Sequence, residues 1–234
     1  TDVNVVKSAI FERPDDANKG TLGSLLCVCG SYGMAGAAVM SAKGALRTGI
    51  GLAKCALPRS IYPIVAQTIL ESVYYPLSEN ADGRISKVNV PFLVSESCKS
   101  SATLVGCGLG VCDDTLKIVF SLIENSTTPL VLDADALNCV AKQPEILLRK
   151  KVPIIITPHP GEMSRLTGLA TPLVNAERER VALDFAQKYG VVTVLKGAGT
   201  VIASPNGKVL VNPTGNSGMA TGGSGDVLAG MTAS

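Results

Sequence analysis

The sequence lacks a dense basic stretch: its 234 residues hold 21 Lys and Arg against 19 Asp and Glu, a formal net charge of +2. Without one there is no electrostatic footprint for nucleic acid or for an anionic membrane surface. No apolar run reaches the ~20 residues needed to cross a bilayer. No secretory signal is recognisable, and the 7 cysteines form an odd set, so a disulfide framework is not expected. Cys27 and Cys29 stand one residue apart in an apolar run, where alternation puts both on the same face of a strand. His159 is the 1 histidine, and no second cysteine pair has ligand spacing, which sets zinc aside. The GxxxxGK[ST] pattern of a P-loop is missing, as are internal repeats, low-complexity tracts and linkers. These absences predict a soluble, cytoplasmic, single domain spanning 1–234, with 46% hydrophobic residues available for a core.

What is present is an alternation of short apolar runs with longer helix-like segments. Residues 24–29 (SLLCVC), 52–57, 103–105 (TLV), 129–132 (PLVL), 153–156 (PIII) and 191–195 (VVTVL) read as strands, several of them apolar throughout and so covered on both faces. Residues 37–47 and 177–189 have helical character, the first rich in small residues that suit close packing within the domain or between subunits. Strands alternating with helices predict βαβ units and a mainly parallel sheet with helices on both faces, an α/β fold. The "SPNG" turn between 200–203 and 208–211 predicts an antiparallel hairpin at one edge.

Ligands of open α/β sheets bind beyond the carboxyl ends of the strands. The distinctive loops 30–36, 106–110, 133–138, 157–162 and 196–200 all fall at such ends. "GGSGD" (222–226) precedes an apolar helical run at 227–231, so glycine backbone and a helix N-terminus offer donors for a phosphate. Asp226 in that first turn is equally favourable as a simple helix-start acid. Lys196 in "LKGAGT" can meet a phosphate as a point charge or stand in solvent. His159, fixed between prolines in "TPHPGE", is a candidate ligand contact. Of Asp133 and Asp135 in "LDADALN", one can contact a metal or phosphate-bound water while the other caps the following helix.

Together, "GSYGMAGAAVMSAKGALRTGIGL" (30–52), "GCGLG" (106–110), "LDADALN" (132–138), "TPHPGEMSRLTG" (157–168), "VLKGAGTVIASPNG" (194–207) and "NPTGNSGMATGGSGDVLAGM" (212–231) resemble the NAD(P)H-hydrate dehydratases in order and spacing. The resemblance covers nearly the whole chain and implies a ribokinase-like three-layer αβα sandwich. It implies an ATP- or ADP-dependent repair of NADHX and NADPHX, in which the hydrate hydroxyl is phosphorylated and phosphate is then lost. By the same resemblance Asp226 is the catalytic base, and Gly223, Ser224 and Gly225 form the anion hole. Lys196, Gly197, Ala198, Gly199, Thr200 and Gly225 match the nucleotide contacts, and Ala37, Gly108, His159 and Asp226 the hydrate contacts. Mg2+ is implied by phosphoryl transfer, its ligands unassigned, and ADP is not distinguished from ATP. A homo-oligomer, a tetramer by preference, is expected. Family members continue past the "GDVLAGM" helix, so the expectation is a domain lacking its C-terminal helical part and without the epimerase domain that some members carry. A ribokinase-like kinase of a vitamin-precursor alcohol and a non-catalytic nucleotide-binding protein are the alternatives.

Overall fold

The first strand, β1 (Ser24–Val28), sends Leu25 and Cys27 into one hydrophobic core and Leu26 and Val28 into another. It is apolar at nearly every position because both its faces are covered. The computed structural model describes residues 14–234; residues 1–13 of the expected domain lie outside them.

Six further strands run parallel to β1: β2 (Leu52–Pro58), β3 (Val73–Leu77), β4 (Ala102–Val105), β5 (Leu130–Leu132), β6 (Ile154–Ile156) and β7 (Val192–Leu195). The antiparallel pair β8 (Thr200–Ala203) and β9 (Val209–Asn212) completes one edge, as the "SPNG" turn predicts. The nine-stranded sheet has the order β3-β2-β1-β4-β5-β6-β7-β8-β9. Every predicted strand is present to within a residue or two. β3, at the opposite edge, is an addition to the strands predicted from the sequence.

Helices cover both faces. One core is closed by α1 (Ala35–Thr48), α2 (Tyr62–Thr68) and α9 (Ser224–Ala233), which contribute Ala37, Val65 and Ala229. The other takes α3 (Val90–Cys98), α4 (Asp113–Asn125), α5 (Asp135–Val140), α6 (Pro160–Thr167), α7 (Thr171–Ala176) and α8 (Arg178–Tyr189), through residues such as Ile118, Met163 and Val181. The small-residue face of α1 packs within the chain, against α9. A Cβ at Gly44 would stand 2.5 Å from the Val227 carbonyl oxygen, and one at Gly230 would stand 2.0 Å from that of Ser41. Only glycines permit this crossing.

Strand order reverses between β1 and β4, the point where such sheets open a crevice at their carboxyl ends. There the Gly30 N–H donates to the Cys107 carbonyl at 2.8 Å, joining the loops after the two strands. The five distinctive loops follow β1, β4, β5, β6 and β7, which are mutually parallel, so all open on the same side. Among the described residues no helix is long and apolar enough to cross a membrane.

Candidate active site

The glycines of "GGSGD" set the start of α9. Gly223 takes φ +91°, and a Cβ there would stand 2.0 Å from Met40 Sδ of α1. The chain can turn into the helix at this depth because no side chain intervenes. Val227 N–H returns to the Gly223 carbonyl at 3.0 Å, while among the described residues the N–H groups of Gly225 and Asp226 make no backbone hydrogen bond outside the helix. Such amides, with the helix field behind them, are of the kind that suits an anion.

Asp226 sits half-buried in that first turn. Burial holds its carboxyl above the usual carboxylate range; Asp133 and Asp135 add repulsion, against a thiol hydrogen bond from Cys107 and the attraction of Lys196. Asp226, Asp133 and Cys107 each present a ligand-type atom within 4.8 Å of the others. They come from α9 and the loops after β5 and β4, which the sheet order brings together.

Asp133 is buried and organised from two sides. Its Oδ1 accepts from Lys196 Nζ at 2.6 Å and from Thr157 Oγ1 at 2.8 Å, whereas Oδ2 faces the Cys107 thiol at 3.7 Å. Lys196 also approaches Glu162 Oε2 at 4.0 Å, and a Cβ at Gly225 would stand 3.5 Å from its Nζ. The lysine is therefore not a free solvent-facing cation: it pairs with the Asp133 carboxylate and stands beside the first turn of α9. Asp135 does not cap α5. Its Oδ2 accepts from the Gly110 N–H at 2.8 Å and ties down the "GCGLG" loop.

His159 caps α6. Its Nδ1 accepts from Gly161 N at 2.9 Å and Glu162 N at 3.3 Å, and Glu162 Oε2 returns to His159 N at 2.8 Å, a reciprocal capping box. Burial lowers the imidazole pKa, helped by the Lys196 and Arg165 charges, so the ring is neutral with its proton on Nε2. Glu162 is pushed the other way, upward, by burial. Ala37 is buried on α1 beside Gly108: a Cβ at Gly108 would stand 2.7 Å from that of Ala37. This pair shapes the crevice by closeness, not by polar contact. Ala198 and Gly199 line a neighbouring groove, and Thr200 Oγ1 closes the turn on the Gly197 carbonyl at 3.0 Å.

The structure thus gathers Asp226, Gly225 and Lys196 at one point, and Ala37 and Gly108 across the crevice. Cys107 and Glu162 had no signal of their own in the sequence. Their importance comes from neighbours remote along the chain, although the capping spacing of "HPGE" places Glu162 beside His159.

A family model described as NAD(P)H-hydrate dehydratase matches residues 25–234. The chain is 41% identical over 221 residues to the bifunctional NAD(P)H-hydrate repair enzyme Nnr of Thermofilum pendens, covering 94% of this chain and 42% of that protein. It is 35% identical over 225 residues to the ADP-dependent (S)-NAD(P)H-hydrate dehydratase of Neisseria meningitidis, covering 95% and 72%. A solved ADP/ATP-dependent NAD(P)H-hydrate dehydratase from Bacillus subtilis, co-crystallised with ATP/Mg2+, shares the fold at a TM-score of 0.81 and 32% identity, covering 97% and 76%. Of the bifunctional relatives this chain spans 40–45% of the length. Topology, crevice and sequence agree that the chain belongs to the NAD(P)H-hydrate dehydratase family.

Proposed function

We propose that this chain returns hydrated NADH and NADPH (NADHX and NADPHX) to the dihydronicotinamides, with ATP or ADP as phosphoryl donor. The observation that supports it is Asp226, a carboxylate of raised pKa beside free amides at a helix N-terminus and within reach of Lys196. A base above the usual carboxylate range takes a hydroxyl proton more readily than an ordinary aspartate. In this reading Asp226 removes the proton from the hydrate hydroxyl, and the oxygen attacks the terminal phosphoryl group of the nucleotide. The amides at Gly223 and Gly225, together with Lys196, hold the phosphoryl charge, whereas the Ser224 N–H of the expected anion hole already donates to the Thr221 carbonyl at 3.4 Å. The shortened nucleotide leaves as that P–O bond breaks, and the resulting phosphoester then loses inorganic phosphate together with a proton from the adjacent ring carbon as the ring double bond re-forms. Gly197, Ala198, Gly199 and Thr200 carry the rest of the nucleotide, and Ala37, Gly108 and His159 face the hydrate.

Mg2+ fits this donor set through one carboxylate. It is a hard ion usually held by one or two carboxylates and substrate phosphates, and among the described residues Asp133 Oδ2 has no cation partner. The Cys107 thiol does not suit it, because its hydrogen bond with Cys29, then burial and the Asp133 charge, raise its pKa well above the ordinary thiol value. Bound there, the ion would neutralise phosphate charge; Asp226 remains the base.

The cytoplasm suits this chemistry, since nicotinamide and adenine nucleotides must both be supplied. Assembly into a homo-oligomer, a tetramer in this reading, is supported by exposed Ile64 and Leu70 beside the β3 edge and is read by sedimentation. The deciding assay supplies hydrate and Mg2+ with ADP and ATP in parallel. We expect recovery of the dihydronicotinamide's near-ultraviolet absorbance with release of inorganic phosphate. No recovery with either nucleotide overturns the reading, and a stable phosphoester product would make the protein a small-molecule kinase.

A further inference from the structure

Sheet order brings a thiol and two carboxylates together from three separate elements: Cys107 after β4, Asp133 after β5 and Asp226 in the first turn of α9. Cys107 and Asp133 are buried and Asp226 is half-buried. Two carboxylates alone suit a hard ion, whereas a sulfur beside them favours a softer one of the zinc class. The spacing of Cys27 and Cys29, which sets zinc aside along the sequence, has no bearing on ligands gathered from remote loops.

The distances fit zinc. Bonds of about 2.3 Å to sulfur and about 2.1 Å to oxygen, at a tetrahedral angle, set the two ligand atoms about 3.6 Å apart. Cys107 Sγ and Asp133 Oδ2 stand 3.7 Å apart. All three ligand atoms lie within 4.8 Å of one another, so the Asp226 carboxylate completes the set by moving at most about 1 Å.

Asp133 is already oriented as a one-oxygen ligand. Its Oδ1 is occupied by Lys196 Nζ at 2.6 Å and Thr157 Oγ1 at 2.8 Å, the outer partners that a metal-bound carboxylate needs. Its Oδ2, in a side chain that is 1% exposed, has only the Cys107 thiol among the described residues, and a thiol is a weak donor. The charges close as well. A Cys107 thiolate and the two carboxylates carry three negative charges, which Lys196 and one divalent ion balance. Cys29, the other hydrogen-bond partner of Cys107, is a thiol able to donate to the bound sulfur.

We propose that Cys107, Asp133 and Asp226 form an inhibitory zinc site, in which Zn2+ takes one sulfur and one oxygen from each carboxylate and leaves its fourth position to water. The thiol proton passes to solvent as the Zn–S bond forms, and nothing is oxidised or reduced. An Asp226 carboxylate bound to zinc cannot take a hydroxyl proton. The inhibition therefore rests on the reading of Asp226 as the base, while the binding does not.

The test titrates the ligand-free protein with Zn2+ by calorimetry and with Co2+ by visible spectroscopy. It compares the wild type with Cys107→Ser, Asp226→Asn and Cys98→Ser, the last removing the exposed thiol. One Zn2+ per chain is expected, and a sulfur-to-cobalt charge-transfer band. Cys107→Ser should lose the band and bind Zn2+ more weakly by at least the ~10–100-fold that loss of an outer partner costs. Asp226→Asn should keep the band and weaken Zn2+ by about tenfold or more, which decides the matter where Cys107→Ser fails to fold. Cys98→Ser should match the wild type. Loss of the band in Cys98→Ser overturns the site, leaving adventitious binding only, and so does unchanged Zn2+ affinity in Asp226→Asn. With free zinc set by a chelator buffer, hydrate turnover should stop as the site fills, and Cys107→Ser should need at least about ten times the zinc. Full turnover with the site filled overturns the inhibition. A protein that binds zinc as expected yet turns over no hydrate in its absence fails the dehydratase reading and keeps the site, so the two failures are distinguishable.

Discussion

Asp226 is held where its ionised form is disfavoured, first by burial and then by Asp133. The folded state thus keeps the Asp226 proton to higher pH than the unfolded chain does. Native protein binds more protons between the ordinary carboxylate pKa and the raised one, so stability falls as pH rises through that window and stays lowered above it. Asp226→Asn removes this cost, and its ligand-free melting temperature at neutral pH should exceed that of the wild type. The same change should lower turnover on the order of 10²–10⁴-fold while nucleotide binding survives. Calorimetry and the hydrate assay read the two effects separately; a lower melting temperature with full turnover would make Asp226 a structural acid. The wild-type acid limb of activity should lie above the range of an unperturbed aspartate. Lys196 behaves oppositely. Replacing it with Met leaves buried Asp133 with Thr157 and a thiol but no cation, a loss of about 3–5 kcal/mol by denaturant titration. A loss below ~1 kcal/mol would place this pair with exposed surface bridges.

At the scale of elements, the crossing of α1 and α9 carries Asp226 to its place. Gly230→Ala puts a methyl against the Ser41 carbonyl, and overpacking of this kind costs about 1–3 kcal/mol. Because α9 must shift away from α1, turnover should fall further than nucleotide affinity does. Equal loss in both would locate the damage in the sheet and not in the helix. The sequence announced the small-residue face of α1 but not its partner, since Gly44, Val227 and Gly230 meet only once the chain has folded back. Strands buried on both faces were legible because their apolar runs are continuous, as at β5 and β6. β3 escaped for the converse reason: it is an edge strand whose Val73 and Pro76 are exposed, with no alternation to read. The site divides in the same way. Glycine loops at strand ends located the crevice, whereas the Cys107–Asp133–Asp226 cluster follows from sheet order, which no local pattern encodes.

For the whole molecule, the crevice joins two layers that are otherwise separated by the sheet. Asp226 and Gly225 belong to the face with α1, while His159 and Glu162 start α6 on the other; the loops after β1, β4, β5, β6 and β7 run between them. Lys196 and Asp133 link the two sides, through Gly225 on one and Glu162 on the other. A nucleotide bound along this line touches elements of both layers and should restrain them together. A ligand that binds only the folded state stabilises it by about 2.7 kcal/mol at a hundred times its dissociation constant. Hydrogen exchange with saturating ADP should therefore slow at 196–200 and 223–226 together, and at 106–110 once the hydrate is also present. The β3 edge, remote from the crevice in the sheet order, should change little. Protection at 196–200 without any at 223–226 would mean that the nucleotide meets the glycine turn after β7 but never reaches the α9 amides. The phosphoryl group would then have to be held elsewhere, and Asp226 would lose its place as the base.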